Sequence, residues 1–197
     1  MHALQGRRSS AAPHACQQGI TLLELMVSLV VLVVLMGFAG PSLQGLQENM
    51  ERRVILLGVY QATLLAKQEA VRRNSSVTLC PLDTNNSCHG DWNQPVAVFL
   101  DPENQRQLLE DSYLLRVLPA PRRGSRRIGV GNRGFFHYGP MGIGRHTPGH
   151  VLYCPASGNP LRAGQIIINM TGKARFARDL NGDGRVQDAQ GRPMVCD

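Results

Sequence analysis

The sequence predicts an α+β protein in which one long N-terminal helix packs on antiparallel β-sheets. Three observations carry this reading. An apolar run extends from Ile20 to Gly40, a helix-spaced apolar stripe continues it towards Arg73, and residues 74–197 hold short apolar segments separated by turn residues.

The apolar run comes first. Only Thr21, Glu24 and Ser28 interrupt it. About 20 apolar residues suffice for a helix to cross the hydrocarbon layer of a membrane. A cleaved secretory signal is the competing reading. It would need a shorter apolar core and a small-residue cleavage site, and Ala39-Gly40-Pro41-Ser42 makes a poor one. Glu24 is the second objection to a plain anchor. A carboxylate inside such a run costs roughly 2.5–3.5 kcal/mol at a helix centre, less near its end, so it marks a functional site. The alternative is a side chain that only snorkels to the membrane surface.

Gly37, Gly40 and Pro41 are expected to interrupt the helix, because proline removes a backbone donor. Residues 41–73 then resume as an amphipathic helix. Leu46, Met50, Val54, Leu57, Leu64 and Val71 recur at spacings of 4, 4, 3, 7 and 7, one stripe of a helix. Polar residues such as Glu48, Glu51 and Arg52 lie between them, and Asn74-Ser75-Ser76 ends the element. This half is expected to lie on the sheet of the globular part.

Residues 74–197 read as one β-rich domain. Strand candidates are Val77–Leu79, Val96–Leu100, Tyr113–Leu118, Arg127–Val130, Gly134–Tyr138, Val151–Cys154 and Gln165–Asn169, bounded by Gly, Pro, Asn and Asp. No internal repeat is visible. A chain of 197 residues suits one domain plus an anchor. The formal net charge of +7 and the pI near 9.6 favour anionic partners, against a merely soluble basic surface.

Five cysteines are present, and Cys16 precedes the apolar run. Cys80, Cys88, Cys154 and Cys196 remain, an even number that suggests two disulfides in an oxidising compartment. Three pairings are open, and proximity favours Cys80–Cys88 with Cys154–Cys196. With no CxxC pair, a zinc site is disfavoured.

The segment Gly19-Ile20-Thr21-Leu22-Leu23-Glu24-Leu25 resembles the processing site of type IV prepilins and type II secretion pseudopilins. The resemblance implies that residues 1–19 are a leader and that a prepilin peptidase cuts after Gly19 and methylates the amino group of Ile20. Phe is the usual residue at that place, and Ile is a tolerated departure. A 19-residue leader exceeds the shortest in the family, so translation is expected to start downstream of Met1. Glu24 then gains a role. It would neutralise the terminal ammonium of a neighbouring subunit, because either charge buried alone is costly. The implied fold is type IV pilin-like, with residues 20–40 as the transmembrane and assembly helix. The implied place is a single pass through the bacterial inner membrane, with a periplasmic domain that later joins a pilus or pseudopilus.

The domain also resembles the GspH/FimT family of minor pilins and pseudopilins. The matching pieces are Leu79-Cys80-Pro81, Cys88-x-Gly90-x-Trp92, Val98-Phe99-x-Asp101, Gly134-Phe135-Phe136, Tyr153-Cys154 and Ile166-x-x-Asn169-x-x-Gly172-Lys173-x-Arg175. Members that bind DNA during natural transformation are similar in a late Gly-[Arg/Lys]-x-Arg motif, here Gly172-Lys173-Ala174-Arg175. Lys173 and Arg175 would share one face of an extended stretch. Arg178 lies off that alternation, and Arg162, Arg185 and Arg192 add charge. Such cations pair with phosphates of double-stranded DNA without reading bases, in a salt-sensitive manner. The competing reading is a solvated basic edge. The expected function is a minor pilin of a type IV pilus that helps assembly with other pilins and binds DNA. The alternative is minor pseudopilin H of the type II secretion pseudopilus.

Two further clusters invite readings. Arg122, Arg123, Arg126 and Arg127 read as an exposed basic hairpin, which extends a DNA path, contacts lipid head groups or, as the plainer reading, has no partner. Asp179-x-Asn181-x-Asp183-Gly184 resembles the start of a calcium loop, although Gln190 stands where a closing Glu belongs. An Asx-rich turn without an ion is the plain alternative, and no other cofactor is implied. His137, His146 and His150 lie near Gly-rich turns, but no nucleophile or acid stands at a recognisable spacing. A membrane-anchored hydrolase is therefore the remote alternative, and it would have no need of Glu24.

Overall fold

The computed structural model describes residues 19–131, 133–144, 148–188 and 190–196, with the backbone alone for 38–42. Arg7, Arg8, Cys16 and His146 lie outside the described residues. The chain divides into two compact units, Met1–Ser42 and Leu43–Asp197.

Helix α1, Leu22–Arg72, begins in the first unit. Thr21 stands at its N-cap, and the Glu24 backbone N–H donates to the Thr21 hydroxyl at 3.3 Å. This satisfies one of the donors that every helix start leaves free. From Ile20 to Gly37 every side chain is exposed. Among the described residues no helix is long and apolar enough to cross a membrane. The apolar run with described side chains stops at Gly37, short of about 20 residues. The expected interruption is not found, because α1 continues through Gly37, Gly40 and Pro41 as assigned helix. Proline deletes a single backbone donor, and the bonds on either side remain available to hold a long helix.

In the second unit α1 buries Glu48, Ile55, Leu56, Val59, Ala62, Thr63, Ala66 and Ala70. The stripe expected to face the sheet points the other way. Leu46, Met50, Val54, Leu57, Leu64 and Val71 are all exposed, Leu64 least at 41%. Alanines let the helix axis approach the sheet closely, where leucines would hold it off. The helix ends one residue before the expected Arg73. Asn74 takes a left-handed conformation at φ 47°, and the Ser75 N–H donates to the Ala70 carbonyl, closing the last turn.

Eight strands follow: β1 Val77–Pro81, β2 Val96–Leu100, β3 Leu114–Leu118, β4 Ser125–Gly129, β5 Phe136–Tyr138, β6 Gly149–Cys154, β7 Gly164–Ile168 and β8 Ala174–Phe176. They form two four-stranded antiparallel sheets, ordered β3-β2-β1-β5 and β4-β6-β7-β8. The apolar faces of both sheets and the buried face of α1 share one core. β1, β2 and β7 are buried at every position, as continuous apolar strands are when both faces are covered.

Disulfides Cys80–Cys88 and Cys154–Cys196 both form, with Cα separations of 5.5 and 5.6 Å. The first closes 8 positions and the second 42. By loop entropy the longer closure contributes about 4 kcal/mol and the shorter about 2.5.

Of the four arginines expected in an exposed hairpin, Arg122, Arg123 and Arg127 are exposed and Arg126 is not. Arg126 is buried, its Nε donating to the Trp92 carbonyl and an Nη to the Gln94 carbonyl, at 2.8 and 2.9 Å. Its guanidinium lies over the Trp92 ring, and burial lowers its pKa to about 10. Arg122 and Arg123 give their backbone N–H groups to Glu51 of α1. A cation that ties β4 to the 92–94 turn is unavailable to phosphates. The Arg123 guanidinium donates to the Gln47 side chain, and among the described residues the Arg122 and Arg127 guanidinium groups have no hydrogen-bond partner.

Candidate assembly and nucleic-acid interface

The first candidate site is the start of α1. Ile20 is 73% exposed, and Glu24 is exposed four positions later. Thr21 and Glu24 have the spacing of a reciprocal capping box. Only the Thr21 half is made, so the Glu24 carboxylate takes no hydrogen bond among the described residues. It is therefore free to accept from a positive group outside this chain.

The second site is the β7–β8 hairpin. The Asn169 side-chain oxygen accepts from the Thr171 N–H, the Thr171 hydroxyl and the Lys173 N–H, the last at 2.8 Å. Gly172 sits at φ +74° with its backbone against the Tyr138 ring, and the Tyr138 hydroxyl donates to the Gly172 carbonyl. Burial pushes the Tyr138 phenol up, so it acts there as a neutral donor. β8 then alternates. Ala174 is buried, while Lys173 and Arg175 are exposed on the opposite face. The Gly-Lys-Ala-Arg order thus has a local cause: a tight turn, an outward cation, an inward small residue and a second outward cation.

Arg178 is exposed just beyond β8, where among the described residues its carbonyl accepts from the Gln187 N–H and its guanidinium has no partner. Arg162 is not part of this face. It ends the 3-10 turn Pro160–Arg162, and its guanidinium pairs at 2.9 Å with Glu48 of α1, whose side chain is 2% exposed. The Ser157 hydroxyl and backbone N–H also donate to that carboxylate. Arg192 is likewise paired, with Asp188 at 2.8 Å. Among the described residues Lys173, Arg175 and Arg178 therefore have no side-chain partner on one short segment, and the exposed Arg185 guanidinium has none either.

The acidic loop after Arg178 is organised by its own backbone. Asp179 accepts from the Gly182 and Gly184 N–H groups at 2.8 Å, and Asp183 accepts from Arg185. The Asn181 oxygen accepts from Gln187. These are Asx-turn bonds, which shape the loop from its own side chains. Among the described residues no three His, Cys, Asp or Glu side chains converge as a metal site.

His137 belongs to a buried hydrogen-bonded relay. The Thr78 hydroxyl donates to Asp101 at 2.8 Å and lies 2.9 Å from His137 Nδ1, with all three residues buried. Because the hydroxyl proton goes to Asp101, Nδ1 carries the proton donated to Thr78. The relay joins β1, β5 and the end of β2.

The family model of the type II transport protein GspH matches residues 58–172, more than half of the chain. The chain belongs to the GspH family. The prokaryotic N-terminal methylation motif matches residues 14–40. The GspH-family chain is thus a minor pilin or pseudopilin, of a kind that assembles with other pilins, and its N-terminal motif implies membrane anchoring. Solved structures similar to it include the type IV minor pilin FimU of Pseudomonas aeruginosa, at 14% identity over 65% of this chain and 91% of that one, TM-score 0.46. Another is the minor pseudopilin EpsH of the Vibrio cholerae type 2 secretion system, at 13% identity over 64% and 95%, TM-score 0.47. No curated protein matches the chain.

Proposed function

We propose that this chain is a minor pilin of a type IV pilus that helps assemble the filament and binds double-stranded DNA through Lys173, Arg175 and Arg178. A prepilin peptidase cuts after Gly19 and methylates Ile20. Residues 20–40 hold the chain in the inner membrane until Glu24 meets the terminal amine of a neighbouring subunit. The observation that supports DNA binding is the β7–β8 hairpin, which leaves its cations unpaired on an exposed edge while Arg162, Arg126 and Arg192 are tied up elsewhere. Phosphate contacts of this kind position a duplex without reading sequence. A second reading, a subunit of a type II secretion pseudopilus without DNA binding, is favoured by the description of the matched family.

The test is duplex binding by the full chain in detergent across a salt series, beside a Lys173→Ala/Arg175→Ala/Arg178→Ala variant. Unrelated duplexes should bind alike, and the variant should lower the logarithmic salt slope by about 2–3. No binding at low salt, or an unchanged slope in the folded variant, leaves the secretion reading.

A further inference from the structure

We propose that the cleft between α1 and the β7–β8 edge is a docking groove for an acidic, apolar peptide segment of a partner protein. The cleft has a volume of about 450 Å³, within the range of ligand sites. It arises because α1 and β7 almost touch on one side. A Cβ on Gly164 would lie 2.5 Å from Leu56 Cδ1, so glycine sets the closest approach there. Leu56, Leu57, Phe176 and Val186 supply apolar walls, and Leu57 and Phe176 remain 47% and 42% exposed.

Charge says what fits. Arg52 and Arg53 both line the cleft. Arg52 spends one donor on the Ala163 carbonyl at 3.3 Å, and Arg53 is exposed. Among the described residues neither is paired with a carboxylate, whereas Arg162 and Arg192 are. Gln165 also lines the cleft, is 3% exposed, and its side-chain oxygen accepts no hydrogen bond. β8 adds the last element, since it is the outer strand of its sheet and pairs only with β7.

An extended peptide meets all of these demands at once. It brings backbone N–H groups, apolar side chains at alternate positions and carboxylates for the arginines. A nucleic-acid backbone brings anions but no apolar body for Leu56, Leu57 and Phe176. The groove is also separate from the DNA face proposed above. Phe176 turns inward and packs 5.3 Å from the Tyr60 ring, while Lys173 and Arg175 turn outward.

The experiment is fluorescence anisotropy of a labelled, N-acetylated Leu-Asp-Phe-Glu-Leu peptide with the full chain in detergent, beside the isosteric Leu-Asn-Phe-Gln-Leu peptide. The acidic peptide should bind roughly tenfold tighter than the amide control, and Arg53→Glu and Arg52→Gln should each weaken it about tenfold. The Lys173→Ala/Arg175→Ala/Arg178→Ala variant should bind it as the parent does, so failure of the DNA reading leaves this result untouched. Arg53 is exposed, so its variant keeps the fold even if loss of the Arg52 bond to Ala163 does not. Equal binding of the two peptides, no binding, or unchanged affinity in Arg53→Glu would overturn the proposal. So would displacement of the peptide by duplex DNA in the triple variant.

Discussion

Gly172 carries the basic hairpin on two constraints that glycine alone meets. Its φ of +74° lies in the left-handed region, and a Cβ would stand 2.6 Å from the Tyr138 ring. Gly172→Ala should therefore cost about 1–3 kcal/mol in urea unfolding, through backbone strain and overpacking. An unchanged midpoint would mean that the turn adapts freely. The Gly-Lys-x-Arg order was legible in the sequence because its cause is local: turn, strand alternation and small inward residue lie within a few positions. Arg162 was not legible, since its partner Glu48 is 114 positions away and no period or spacing joins them. Arg126 was misread for a similar reason. Four arginines in six positions look like surface, and only the fold reveals that the Trp92 and Gln94 carbonyls stand ready for one of them.

At the scale of the element, α1 shows why a hydrophobic stripe can name the wrong face. Leu46, Met50, Val54, Leu57, Leu64 and Val71 are exposed, while Ala62, Ala66 and Ala70 are fully buried beside Ile55, Leu56 and Val59. Size ranked the stripe, but close helix–sheet contact demands small side chains. Ala66→Leu should cost about 1–3 kcal/mol by overpacking, and Leu64→Ser should stay within about 0.5 kcal/mol, each read from denaturant midpoints. The reverse order would restore the sequence-based orientation. The helix end is acid-sensitive as well. Bonds from Arg72 and Arg73 hold the Glu69 carboxyl down at about 2, from an ordinary value of 4.5. A depressed folded pKa means that the stabilisation is present above pH 4.5 and fades as pH falls towards 2. Both arginines are substantially exposed, so solvent screening keeps the effect small. Glu69→Gln should flatten urea midpoints over that window, and an identical pH profile would remove Glu69 from the account.

For the whole molecule, two disulfides, one core shared by α1 and both sheets, and a prepilin-type start describe a minor pilin or pseudopilin subunit. The strand positions from Val77 to Ile168 were largely legible from apolar segments between turn residues. The pairing of the strands into two sheets was not, because sequence spacing fixes no partner. β8 escaped notice as a strand since it is three residues long and two-thirds exposed. The central claim, a processed pilin-type subunit, rests on Gly19, Ile20 and Glu24. Intact-mass and N-terminal fragmentation spectrometry of the chain, expressed with a prepilin peptidase, tests it most directly. The expected chain begins at methylated Ile20, with Glu24→Ala still cut but failing to enter filaments. A chain that keeps its first 19 residues, or is cut instead near Gly40, would contradict it.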